Sequence, residues 1–240
     1  MARRGRLVAV EGGSASGKTT LVAAAAHTLG WRPLPEAYDR LDPAPSLDFD
    51  SPRELLRLEA TLLAEEAKRY REACQLCATG LTVVADTGFF GPLTYTLGLG
   101  ELGLAPESVA AALVRSARSL VMAGRLGLPD LTVYLRTTAR ERAGRARADA
   151  RRHPPDLWLR HEAVGRFERR FLERELSAVR PTGFRVLRAD GPATVLARRL
   201  RTIVATLPSR PASRADALAL LARLDRPARG FRRSTVRPNR

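Results

Sequence analysis

Aromatic residues make up only 5% of this 240-residue chain, and among its 41 basic residues only Lys18 and Lys68 are lysine. Asparagine occurs once, as Asn239. Each scarcity excludes something. Surfaces that bind nucleic acid, single strands above all, interleave aromatic rings with basic residues so that bases can stack. With so few rings, the net charge of +16 is a weak argument for a nucleic-acid partner. The skew toward Arg and Ala reads instead as the composition of a GC-rich genome. A lone Asn in the last residues rules out the Asn-Lys-x-Asp motif with which GTPases read guanine. Cysteine is limited to Cys74 and Cys77. A C-x-x-C redox pair belongs at a helix N-terminus after a strand, and a zinc site needs a second pair of ligands. This pair falls near the end of a long helical pattern with no His nearby. It reads as two small apolar residues one turn apart. No apolar run reaches the ~18 residues of a membrane span, so no membrane association is expected. The basic start, Met1 to Arg6, leads into a short apolar stretch and a glycine loop, unlike a signal peptide. A cytoplasmic protein is the default expectation.

What is present is 45% hydrophobic and 28% charged residues, in a length that suits one α/β domain with appendages. Apolar strands alternate with amphipathic helices, the pattern of a parallel sheet covered on both faces. Strands are predicted at 7–10, 32–36, 81–85, 131–135 and 184–187. Helices are predicted at 17–29, 51–78, 106–124, 156–178 and 192–207. Gly30 closes the first helix, and Ser51-Pro52-Arg53-Glu54 opens the second as a capping box with Pro at the first position. The Gly-rich stretch up to Leu104 reads as irregular chain. After Leu207 the composition turns to Pro and Arg. The expectation is a core domain over 1–207 and a basic tail over 208–240, with a short helix at 215–224 and a disordered end.

The most informative segment is Gly12-Gly13-Ser14-Ala15-Ser16-Gly17-Lys18-Thr19, followed by Thr20. It fits G-x-x-x-x-G-K-[ST] and sits between an apolar strand and a helix, the context the motif requires. Small residues let backbone N–H groups curl round a phosphate, and the helix N-terminus adds partial positive charge. Lys18 supplies a compact point charge for the β- and γ-phosphates, where an Arg fork would fill the loop. The Thr19 hydroxyl is placed for Mg²⁺. A motor-type ATPase often carries Asp-Glu at a strand end. Here the two candidate strands end in Asp86-Thr87 and Arg136-Thr137, without the second acidic residue that would activate water. Small-molecule kinases remain the best fit.

On these residues the chain resembles the P-loop nucleoside and nucleotide kinases, the group of thymidylate kinases, deoxynucleoside kinases and ribosylnicotinamide kinases. The resemblance spans about residues 6–207 and rests most heavily on the P-loop. It implies a P-loop NTPase fold, with a five-stranded parallel sheet, helices on both faces and an Arg-rich lid. It also implies ATP and Mg²⁺ as cofactors and a small-molecule phosphoryl acceptor as partner. Glu36, in Pro35-Glu36-Ala37-Tyr38, stands where similar kinases take the proton from a sugar hydroxyl. Asp86 stands where they hold an acidic residue for Mg²⁺ or the acceptor, at a strand C-terminus that faces the ligand crevice. The segment after the fourth strand carries Arg140, Arg142, Arg145, Arg147, Arg151 and Arg152. A helix there puts Arg140, Arg147 and Arg151 on one face, and Arg147 and Arg151 are the leading candidates to stabilise the transferred phosphoryl group. Asp190-Gly191 resembles a loop that touches adenine. The Arg-Glu-Pro-Gly-Gly loop and the Asp-Arg-Tyr of thymidylate kinases are missing. Lys68 and Arg69 read as surface charges rather than acceptor-phosphate ligands. Three readings of function stay open: a nucleoside or nucleotide kinase, a natural-product or antibiotic kinase, and a nucleotide-dependent regulatory protein whose basic tail binds nucleic acid or another acidic partner. The oligomeric state is equally open, a homodimer included.

Overall fold

Uninterrupted apolar residues build the first strand, β1, Leu7–Glu11, and all five of its residues are buried. A strand with both faces buried belongs in the middle of a sheet covered by helices. In the computed structural model, which describes residues 4–46, 49–148, 155–208 and 210–225, β1 is the central strand. The others are β2 (Arg32–Leu34), β3 (Val83–Asp86), β4 (Leu131–Arg136) and β5 (Phe184–Arg188). The order is β2-β3-β1-β4-β5, and every pairing is parallel. Val10 lies opposite Asp86 and Glu11 opposite Tyr134. The C-terminal ends of the three central strands therefore converge, at the crevice where open α/β sheets take their ligands.

The helices are α1 (Lys18–Leu29), α2 (Pro52–Ala78), α3 (Gly91–Glu101), α4 (Glu107–Met122), α5 (Ala139–Ala148) and α6 (Pro155–Phe171). A π-helical turn, Leu172–Leu176, carries α6 into the short α7 (Ser177–Val179), and α8 (Ala193–Ala205) and α9 (Arg214–Leu224) follow. The period-2 alternation of β1 divides the core. Leu7 and Ala9 face a cluster fed by α2, α3, α4, α6 and α9. Val8 and Val10 face a smaller cluster fed by α1 and α8. Continuing the alternation sends Glu11 to the α6 side.

Capping places the long helix as its sequence implies. The Ser51 hydroxyl accepts the Glu54 N–H at 3.2 Å, but the Glu54 carboxylate takes the N–H of Asp50 at 2.9 Å rather than that of Ser51. One feature differs from expectation. The Gly-rich stretch 91–101 is helical, as α3. Gly98 lets α3 approach α6 closely, because a Cβ there would meet Val164 at 3.0 Å. Gly98 serves helix packing, which outweighs its poor helix propensity. The short helix beyond Leu207 is present as α9, with Ala217, Leu220, Leu221 and Leu224 buried in the larger cluster. Each buried leucine contributes about 1.5–3 kcal/mol. The basic end, 226–240, lies outside the described residues. Asp130 ties this end of the sheet together: its carboxylate accepts the Leu7 N–H at 2.9 Å and the Ala212 N–H at 3.3 Å, and pairs with Arg4. Both cysteines lie on α2, and burial pushes the Cys77 thiol up to about 11, so it behaves as a packing residue. Among the described residues no helix is long and apolar enough to cross a membrane.

Candidate active site

The segment from Gly12 to Gly17 forms a tight loop between β1 and α1. Gly12 and Gly17 have φ of 149° and 97°, and Ala15 of 57°. A side chain at Gly12 would also meet the Leu135 carbonyl at 2.9 Å. Ser16 N–H closes the loop on the Gly13 carbonyl at 3.1 Å. Lys18 folds back over it and donates to the Gly12 carbonyl at 3.0 Å. Thr19 and Thr20 are exposed at the start of α1. The result is a ring of small residues at a helix N-terminus with one ammonium above it, suited to a phosphate chain.

Glu36 follows β2 and brings its carboxylate to 4.0 Å from Lys18 Nζ, with its side chain 31% exposed. Burial raises its pKa, and Lys18 opposes that shift while Asp86 adds to it. Asp86 ends β3, is buried, and its Oδ1 has no hydrogen-bond partner. The next residue, Thr87, is held at φ 63° by its N–H bond to the Val10 carbonyl, 3.1 Å. That value is an outlier for a β-branched residue, and such strain clusters at functional sites. Lys18, Glu36 and Asp86 are thus brought to one place.

The arginines are placed differently from expectation. Arg142 and Arg145, not Arg147, lie against the P-loop. Arg145 donates to the Ser16 carbonyl at 2.9 Å. A Cβ on Gly13 would run into the Arg142 guanidinium, which Glu162 holds at 2.9 Å. Arg147 is exposed, and Arg151 and Arg152 lie outside the described residues. Helical spacing groups side chains into faces but does not say which face turns inward. Buried Ala146 marks that face. Lys68 is a surface charge, 60% exposed and paired with Glu65 at 2.9 Å. Arg69 is not: it is fully buried, pairs with Glu66, donates to the Asp86 carbonyl at 2.8 Å and lies over the Phe89 ring at 5.4 Å. A buried guanidinium has to be paired in this way.

Buried Glu11, Glu59 and Glu66 and the partly buried Glu168 escaped the reading of the sequence. Glu11 accepts the Gly88 N–H at 2.7 Å and meets Glu168 of α6. Burial, then the Glu168 carboxyl, pushes Glu11 well above the ordinary carboxylate range, and burial raises Glu168 too. Two such groups in contact hold a proton between them. Glu59 and Glu66 occupy positions in the buried stripe of α2 that includes Leu55, Leu63, Ala73 and Cys77. Burial pushes Glu59 up to about 8 and Glu66 to about 7, Arg69 opposing the latter. Charged residues at core positions of an amphipathic stripe were the available signal.

Two cavities open at this end of the sheet. One, of about 530 Å³, contains the P-loop, Glu36, Glu59, Glu66 and Glu168, with Tyr95 and His161 in its wall. The other, of about 640 Å³, lies between Arg142, Thr138, Arg188 and Asp190, and Gly165 borders both. Asp190 pairs with Arg199 at 2.8 Å.

No family model matches the chain, and no curated protein matches its sequence. Solved structures do match. Deoxyadenosine kinase from M. mycoides with bound dATP is similar with a TM-score of 0.64 at 15% identity, over 83% of this chain and 99% of that one. The same enzyme with products dCMP and dCDP bound aligns at a TM-score of 0.62 and 15% identity, over 83% and 98%. Thymidylate kinase from Candida albicans aligns at 0.62 and 16% identity, over 89% of this chain and 99% of that one. At these identities the likeness is one of fold: the chain has the architecture of P-loop nucleoside and nucleotide kinases.

Proposed function

We propose that this chain is a phosphotransferase that moves the γ-phosphoryl group of Mg·ATP to a hydroxyl of a nucleoside- or nucleotide-sized acceptor. The observation that carries this reading is the approach of Glu36 to within 4.0 Å of Lys18 over the P-loop. It sets a carboxylate of raised pKa beside the place where the γ-phosphate would lie. The donor phosphates rest on the loop N–H groups and Lys18, and the donor base takes the cavity beside Asp190. The acceptor takes the cavity under α2 and α6. Glu36 accepts the hydroxyl proton as the new O–P bond forms and the bond from the γ-phosphorus to the β-phosphate oxygen breaks, leaving ADP. Arg142 and Arg145 stabilise charge on the transferred group, taking the role first expected of Arg147 and Arg151. Closure of α5 over the nucleotide would exclude water.

The residues suit Mg²⁺, a hard cation held through one or two protein oxygens and the phosphates. Asp86 offers a buried oxygen without a partner, and Thr19 an exposed hydroxyl at the loop. When bound, the ion neutralises charge on the β- and γ-phosphates.

The test is ADP formation with product mass analysis across nucleosides, monophosphates and hydroxylated natural products. Acceptor-dependent ADP and a product heavier by one phosphoryl group are expected. Lys18→Ala lowers turnover by about 100-fold or more. Turnover that persists in Lys18→Ala refutes the reading.

A further inference from the structure

The cavity assigned to the acceptor has six acidic groups in its lining against two basic ones. Glu11, Glu36, Asp39, Glu59, Glu66 and Glu168 line it, against Lys18 and Arg145. Both cations already touch P-loop carbonyls and both face the donor phosphates. Buried Arg69 is held by Glu66 and the Asp86 carbonyl. Glu59 is therefore left over. It is 2% exposed, borders the cavity, and has no hydrogen bond or ion pair among the described residues. A buried carboxyl without a partner is costly to keep, and a ligand group is what would satisfy it.

We infer, building on the phosphotransferase reading above, that the acceptor is a hydroxylated compound bearing a positively charged nitrogen and no phosphate, with Glu59 as its counter-ion. A phosphate placed here would meet carboxylates from three sides in a medium of low dielectric. A cation meets them as partners, and the rings of Tyr38 and Tyr95 in the same wall add cation–π attraction. The titratable groups around the cavity with Glu59 are Glu66 on its own helix, Glu11 at the end of β1, Lys18 on α1, Glu36, Tyr38 and Asp39 after β2, Tyr95 on α3, Arg145 on α5, and His161 and Glu168 on α6. With the site empty, burial keeps a proton on Glu59 at neutral pH. Binding of a cation ionises it and releases that proton.

The experiment is calorimetric titration at pH 7 with Mg·ADP present, in two buffers of different ionisation heat. The compounds are an N-ribosylpyridinium nucleoside, its uncharged dihydropyridine form of nearly the same shape, its 5′-monophosphate, and an amino sugar. The first and last separate a quaternary from an ammonium nitrogen. One of these two cations is expected to bind on the order of 100-fold more tightly than the neutral and phosphorylated compounds, with release of about one proton. Glu59→Gln reduces that preference to a few-fold and abolishes the release. The inference is overturned if the neutral or phosphorylated compound binds as tightly as the cations, if neither cation binds, or if Glu59→Gln changes nothing. A cation that binds with Glu59 dependence but yields no ADP removes the phosphotransferase reading and leaves the binding inference standing. Acceptor-dependent ADP from a neutral or phosphorylated compound does the reverse.

Discussion

Replacing Glu59 by Gln keeps the shape of the side chain and removes its titration, so stability should respond in a pH-dependent way. In the unfolded chain the carboxyl titrates near its ordinary 4.5, whereas burial in the fold pushes it to about 8. Below pH 4.5 both states hold the proton and the group leaves stability unchanged. Between these values the unfolded chain releases the proton and the folded chain keeps it, so stability falls as pH rises. Each pH unit in that window removes about 1.4 kcal/mol, which sums to about 3 kcal/mol at pH 7. Above pH 8 the two states titrate alike and the loss levels off. Glu59→Gln escapes this loss, and the other buried carboxyls act in both proteins. Urea denaturation of both without ligands, at pH 5, 6, 7 and 8, should give free-energy curves that diverge with pH in favour of the variant. A constant difference, or a wild type that gains on the variant as pH rises, would refute the reasoning. The same substitution should weaken acceptor binding, the trade between stability and function found where a site keeps an unpartnered buried polar group.

The placement of the arginines makes a second prediction. Arg142→Ala and Arg145→Ala should lower kcat by about 10–100-fold, while Arg147→Ala stays within about two-fold, read by steady-state ADP formation. The raised pKa of Glu36 should set the acid limb of the rate profile: kcat/KM declines as pH falls through a value above 4.5. Glu36→Gln should lower kcat by about 100-fold or more and erase that limb. At the far end of the sheet, Asp130→Ala removes the acceptor for the Leu7 and Ala212 N–H groups and the partner of Arg4. It should cost about 2–4 kcal/mol of stability in urea titrations with kcat unchanged below the melting range.

The parts of the molecule legible in the sequence are those whose causes are local. Gly12 to Thr19 must form a phosphate cradle because its residue sizes and backbone angles are set within the loop. Strands β1, β3 and β4 announce themselves as apolar runs, and Ser51, Pro52 and Gly30 mark helix ends within one turn of chain. Glu36 and Asp86 could be named because each lies at or just beyond the C-terminal end of a strand. The rest depends on which surfaces meet. Arg142 and Arg145 face the P-loop because α5 turns the side carrying buried Ala146 inward and leaves Arg147 exposed. Gly91–Glu101 is helical because α6 packs where Gly98 has no side chain. Arg69 is buried because Glu66 and the Asp86 carbonyl pair with it. The acidity of the acceptor cavity comes from α2, α6 and the loop after β2, which are distant in sequence. The chain by itself determined the fold class and the phosphate loop, since backbone sterics and hydrophobic periodicity act over short stretches. Tertiary structure alone decided which charges are buried and left without partners, because desolvation depends on everything packed around a group.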